Sequence, residues 1–139
     1  MVRVLATGTF DILHPGHLRY LSEAKSLGDE LYVIVARESM IKHKPKPVIP
    51  EQQRLAMVQA LGIVDKAMLG SEKDMFEPLH DIEPDIIALG KNQFFDEKQL
   101  EEQLKRHGIY AKVVRIQAFE ECKLCSSAAI IKRIINLNR

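Results

Sequence analysis

Cysteine is scarce: Cys122 and Cys125 are the chain's two. That is too few for a disulfide framework, and their close spacing points to metal or redox chemistry as readily as to a passive pair of small residues. No apolar run approaches the roughly 20 residues needed to cross a bilayer, so no membrane association is expected. Charge of one sign is also missing. Lysine and arginine total 20 against 19 for aspartate and glutamate, a net charge of +1, which excludes the broad field of nucleic-acid and membrane-surface binders. Any anion site must be local. The stretch Met1 to Leu5 is too short for a signal-peptide core, so a cytoplasmic location is expected. Internal repeats, low-complexity tracts and linkers are absent from the sequence.

What is present reads as a folded chain. Hydrophobic residues make up 46% and charged residues 28%, which rules out intrinsic disorder, and 139 residues suit one domain covering 1–139. Short apolar runs alternate with segments of helical period, the pattern of parallel strands joined by crossover helices. Strands are expected at 2–6, 31–36, 66–69, 85–90 and 112–116, with the second central to the sheet. Helices are expected from near Gly16, with Leu18, Leu21, Ala24 and Leu27 on the buried face, from Pro50 as first residue, around 75–82, after Asp96 and from Ser126 or Ser127. The last should bury Ile130, Ile131, Ile134 and Ile135. The class is α/β, a Rossmann-like doubly wound five-stranded parallel sheet with helices on both faces. Ligands in such sheets bind at the carboxyl ends of the strands, where strand order reverses, so the loops there draw attention.

Three stretches in those loops carry chemistry. The first runs from Thr7 to His17, out of the first strand and into the first helix. Gly8 permits close backbone approach and free amides at the helix start suit phosphate. His14 and His17, framed around Pro15 and Gly16, can present two imidazoles to one anion. A surface pair or half a zinc site are the alternatives, although zinc needs three or four protein ligands and no third lies nearby in sequence. The second stretch clusters Lys42, Lys44 and Lys46 with three prolines, and Arg54 follows one turn into the next helix. In-line displacement at phosphorus spreads negative charge over several oxygens, and Lys44, Lys46 and Arg54 could meet it, the alternative being solvated loop charges. The third, Cys122 to Ser127, places Ser126 and Ser127 at a helix start, either as a phosphate cradle or as an ordinary cap. A thiol there is open to oxidation, and a disulfide is expected to distort the serine loop.

Gly8-Thr9-Phe10-Asp11 followed by His14-Pro15-Gly16-His17 resembles the HxGH signature of the nucleotidyltransferase superfamily, and specifically its cytidylyltransferase family. The resemblance implies transfer of a nucleotidyl group from a nucleoside triphosphate, with His14, His17, Lys44, Lys46 and Arg54 catalytic. It also implies nucleotide contacts from Thr9, Phe10, His14, His17, Asn92, Ser126 and Ser127. Asn92 stands where an aspartate is common, and Ala128 where a third hydroxyl is frequent, leaving Lys132 or Arg133 to supply the later cation. The segments Gly28 to Arg37, Pro47 to Arg54 and Asp85 to Glu97, with a cysteine before paired serines, are most similar to the archaeal FAD synthases. Those small cytidylyltransferase-type enzymes move AMP from ATP to FMN. The implied partners are ATP and FMN, with Mg²⁺ or another divalent cation bound through the triphosphate and no all-protein metal site. A homodimer is implied as well. Glycerol-3-phosphate cytidylyltransferase, acting on CTP and glycerol 3-phosphate, shares the same loops, and a nonenzymatic nucleotide-binding module would share the fold. An isoalloxazine would need an apolar wall, for which Phe10, Phe94, Phe95, Tyr110 and Phe119 are candidates.

Overall fold

The structure, a computed structural model, describes residues 1–42, 45–91, 93, 95–117 and 122–139. Five strands alternate with helices along the chain: β1 (Arg3–Gly8), α1 (Pro15–Lys25), β2 (Glu30–Val35), α2 (Glu51–Gln59), β3 (Lys66–Leu69), α3 (Glu77–Ile82), β4 (Ile86–Leu89), α4 (Glu97–Arg106), β5 (Lys112–Arg115) and α5 (Ser127–Leu137). A 3-10 turn, Glu38–Met40, follows β2. All strands pair in parallel in the order β3-β2-β1-β4-β5. β1 is therefore the middle strand, and β2, expected there, lies one place toward the β3 edge.

Alternation along each strand divides the core between the two faces of the sheet. Val4 and Ala6 of β1 pack with Val33 and Val35 of β2 against Leu21 and Ala24 of α1 and Val58 of α2. Leu5, Ile34, Ile87 and Leu89 point the other way, onto Leu79 and Ile82 of α3 and Leu100 and Leu104 of α4. Each valine, leucine or isoleucine among them, once fully buried, contributes about 1.5–3 kcal/mol of transfer free energy. Two faces covered by helices explain why the strands read as continuous apolar runs.

Two expected helical stripes differ from those observed. Leu18 is 42% exposed, because α1 begins at Pro15 and turns Leu21 and Ala24 inward instead. No residue of α5 is buried, and Ile134 and Ile135 remain half-exposed. The helix is amphipathic, but its apolar side is not seated on the sheet. No helix among the described residues is long and apolar enough to cross a membrane.

The chain works outward from β1 through β2 to β3, then crosses to the other side for β4 and β5. Order thus reverses between β1 and β4, and the crevice at their carboxyl ends is the place a ligand is expected. The pairing of β1 with β4 stops at Ala6 opposite Ala88. Past that point the Tyr20 hydroxyl bridges the strands, accepting from the Thr7 amide at 3.2 Å and donating to the Ala88 carbonyl at 2.6 Å. Burial raises the phenol above its ordinary range, so the bridge stays neutral.

Candidate active site

The first loop enters α1 through a cap made of imidazoles. His14 is the N-cap residue and its Nδ1 accepts from the Gly16 amide at 3.1 Å, while His17 Nδ1 accepts from the His14 amide at 3.3 Å. This reciprocal arrangement is the logic of a capping box, with histidine in place of serine and glutamate. Pro15 occupies the first helical turn, where its missing N–H costs nothing. The two rings stack with centroids 3.7 Å apart. Because each Nδ1 is an acceptor, each ring carries its proton on Nε2. Burial lowers the His14 pKa, which favours the same neutral form.

Phe10 stands behind the pair. Its backbone is left-handed (φ 53°), its ring is buried, and it lies against His17 at 5.3 Å between centroids. A side chain on Gly8 would come within 2.9 Å of that ring, so glycine lets β1 end directly over it. Gly16 is needed for a different approach. A Cβ there would sit 3.0 Å from the Cys125 carbonyl, so the start of α1 packs against the loop leading into α5. Ser126 caps α5 by accepting from the Ala129 amide, and Ser127 Oγ lies 3.4 Å from the Ile12 amide. Two helix N-termini with their hydroxyls and imidazoles therefore meet at one place, an environment suited to an anion. Cys122 and Cys125 are joined in a disulfide, and the Ser126 cap is present with it closed.

The loop after β2 is latched to the first loop from two sides. Asp11 accepts from the amides of Val48 and Ile49 at 2.9 and 2.8 Å. Arg54, only 1% exposed, donates through Nε to the Ile49 carbonyl and through Nη1 to the carbonyls of Thr9 and Ala36. Among the described residues its Nη2, also buried, finds no hydrogen-bond partner. Lys46 donates to the carbonyls of Glu38 and Ile41 and so caps the 3-10 turn.

The residues expected from sequence thus divide into groups. His14, His17, Ser126 and Ser127 converge, Phe10 backs the imidazoles, and Thr9 is tied through its carbonyl to Arg54. Lys44 and Asn92, with Phe94 and Phe119, lie outside the described residues. Phe95 is exposed at the carboxyl edge, whereas Tyr110 precedes β5 and stands at the opposite, amino edge of the sheet. Asp11 and Arg37, which sequence reasoning passed over, hold loops at this edge, and Tyr20, passed over as well, bridges β1 and β4 there. Arg37 donates to the Gly70 carbonyl and to Glu51. Asp11 carried a legible signal, since it sits inside the first motif; the other two did not. Two clefts, of about 350 and 500 Å³, lie near Tyr110 and beyond β3, away from the paired histidines. Neither holds the converging donors that chemistry on a phosphate requires. Among the described residues no group of three or more His, Cys, Asp or Glu side chains could hold a metal ion.

Comparison with known proteins agrees with this geometry. The model of the cytidylyltransferase-like family matches residues 5–133. A protein named FAD synthase from Archaeoglobus profundus is 64% identical over 137 residues, covering 99% of this chain and 88% of the relative. Another of that name, from Methanohalophilus mahii, is 61% identical over 139 residues, covering all of this chain and 98% of its own. The lipopolysaccharide core biosynthesis protein from Thermoplasma volcanium GSS1 superposes with a TM-score of 0.83 at 48% identity, covering 86% of this chain and 99% of that one. An imidazole-capped α1, set against the start of α5 at a sheet reversal and matched by the family's pattern over nearly its whole length, places this chain in the cytidylyltransferase-like family.

Proposed function

We propose that the protein is an FMN adenylyltransferase, joining AMP from ATP to FMN to give FAD and pyrophosphate, as a single nucleotidyltransferase domain over 1–139 acting in the cytoplasm. The observation that carries the reaction class is the stacked pair of imidazoles whose Nδ1 atoms both accept from backbone amides at the start of α1. The relatives named FAD synthase, at 61–64% identity, support the choice of ATP and FMN.

An FMN phosphate oxygen attacks the α-phosphorus of ATP, a new P–O bond forms, and the bond to the β-phosphate oxygen breaks, releasing pyrophosphate. Nothing is asked of the protein beyond positioning and charge stabilisation. His14 and His17 donate Nε2–H to α-phosphoryl oxygens as charge grows there. Ser126, Ser127 and the free amides of α5 hold the remaining phosphates. Lys44 and Lys46 bring cations from the loop after β2, and Arg54, buried against the carbonyls of Thr9, Ala36 and Ile49, holds that loop in place instead of reaching the phosphates. Thr9 and Phe10 contact the nucleotide, a role that the family's pattern also gives to Asn92.

These donors are N–H and O–H groups, which fit phosphate oxygens and not a cation. A divalent ion, Mg²⁺ by its preference for phosphate and water, would arrive on the triphosphate and neutralise part of its charge.

Incubation with ATP, FMN and Mg²⁺ should yield FAD by chromatography, while CTP with glycerol 3-phosphate should yield no product. Replacing either His14 or His17 by alanine should lower kcat about 10²- to 10³-fold with the circular dichroism spectrum retained. Undiminished turnover in both variants would sink the reading.

A further inference from the structure

Beyond Ala6 and Ala88 the ends of β1 and β4 are linked by side chains that the proposed reaction does not use. Gln93 spans it. Its Oε1 accepts from the Gly90 amide at 2.6 Å, and its Nε2 donates to Thr7 Oγ1 at 3.1 Å and lies 3.4 Å from the Thr7 carbonyl. The loop after β4 is thereby fastened to the end of β1, one residue before Gly8.

From the far side, Arg115 at the end of β5 holds the same loop. Nη1 donates to the carbonyls of Gly90 and Gln93, both at 2.9 Å, and more weakly to that of Lys91. Nη2 donates to the Phe95 carbonyl, and Nε and Nη2 both reach Glu97 Oε1. Glu97 is the first residue of α4, so one guanidinium gathers the loop from its beginning to its end. A surface loop normally leaves its carbonyls to water. Here both terminal nitrogens of one arginine bind carbonyls of a single short loop while Nε holds the adjoining start of α4, so the loop is fixed at several points at once. The loop forms one wall of the crevice in which a ligand is expected, and the histidine motif forms the other.

We infer that Gln93 and Arg115 are positioning residues that set the separation between the loop after β4 and the β1 motif, and thereby the grip on the nucleoside triphosphate. This rests on the proposed function only for the identity of the triphosphate as ATP. Arg115 acts through its planar fork, which lysine cannot reproduce. Gln93 acts through an amide that donates and accepts at once.

The test uses the full chain with two variants, Arg115→Lys and Gln93→Met, the latter keeping shape while losing both hydrogen-bonding functions. Titration calorimetry with a nonhydrolysable ATP analogue should show about tenfold weaker binding in each, and steady-state kinetics should show KM for ATP raised alike, with KM for FMN and kcat little changed. Unaltered binding of the analogue would overturn the inference. So would a parallel loss for ATP and FMN, or loss of fold in both variants, since either makes the pair merely structural. Failure of the unaltered protein to make FAD, with normal analogue binding lost in the variants, would refute the FMN reading and leave this one standing.

Discussion

Arg54 is the residue whose environment differs most from what its place in the chain suggests. One turn into α2, an arginine is expected to reach solvent or substrate, yet this one is buried and binds carbonyls from three separate segments. Replacing it with methionine would preserve bulk but strand those carbonyls, each costing about 1–3 kcal/mol when left unpaired in the interior. Arg54→Met should therefore lower the urea midpoint sharply, by on the order of 3 kcal/mol in unfolding free energy. A midpoint unchanged from the parent would mean that water replaces the guanidinium without cost. His14 yields the second residue-scale expectation. Its folded pKa lies below the ordinary 6.5 through burial, so the unfolded chain binds the proton more readily. Its contribution to stability is complete above pH 6.5 and is lost as pH falls through the depressed folded value. FAD formation should likewise hold level from neutral pH downward and decline only below that point, since protonating Nδ1 breaks the bond to the Gly16 amide. In the His14→Gln variant this acid limb of the rate profile should disappear. The pairing of His14 with His17 was legible, because a three-residue spacing at a helix start brings both rings to one turn. Their mutual backbone bonds were not, because these depend on the dihedrals of the cap.

At the scale of elements, the strands and helices follow from local signals. Short apolar runs and Asp96 as a cap act over a few residues and lie as expected, while Pro50, expected as the first helical residue, stands one place earlier as the N-cap of α2. Tyr20 is a different case. It belongs to α1, but its hydroxyl takes up the ladder between β1 and β4 where direct pairing ends. A tyrosine on a helix face reads as packing; only the approach of α1 to the reversal crevice makes it a bridge. Tyr20→Phe should destabilise the fold by about 1–3 kcal/mol, seen in thermal melts, because a buried amide and carbonyl lose their partner. It should also loosen the end of β1, which hydrogen exchange at the Thr7 amide would report. Protection at Thr7 equal to that of the parent would contradict the bridging role.

For the whole molecule, the two sets of elements on either side of β1 define one functional edge. The lysine loop lies toward β2 and the Arg115-held loop toward β4, with both helix starts between them. α5 completes that edge but has no buried residue and only 11 residues in all, fewer than an isolated helix of about 12–15 that is itself marginal in water. Its half-exposed Ile134 and Ile135 support the homodimer reading, in which a second copy covers them. Sedimentation should give twice the 15.8 kDa protomer mass, and Ile134→Asp with Ile135→Asp should halve it. A parent sedimenting as a single protomer would end that reading. Much of this protein is written along the chain at short range: the α/β class, the five strands, the histidine motif and the paired serines all arise from neighbours within a turn or a strand. The order of those strands, the burial of Arg54, the exposure of the α5 stripe and the grip of Arg115 on a loop some 20 residues away do not. They result from contacts between segments far apart in sequence, whose apolar period and charge look the same whether they end up against the sheet, against a loop or against solvent.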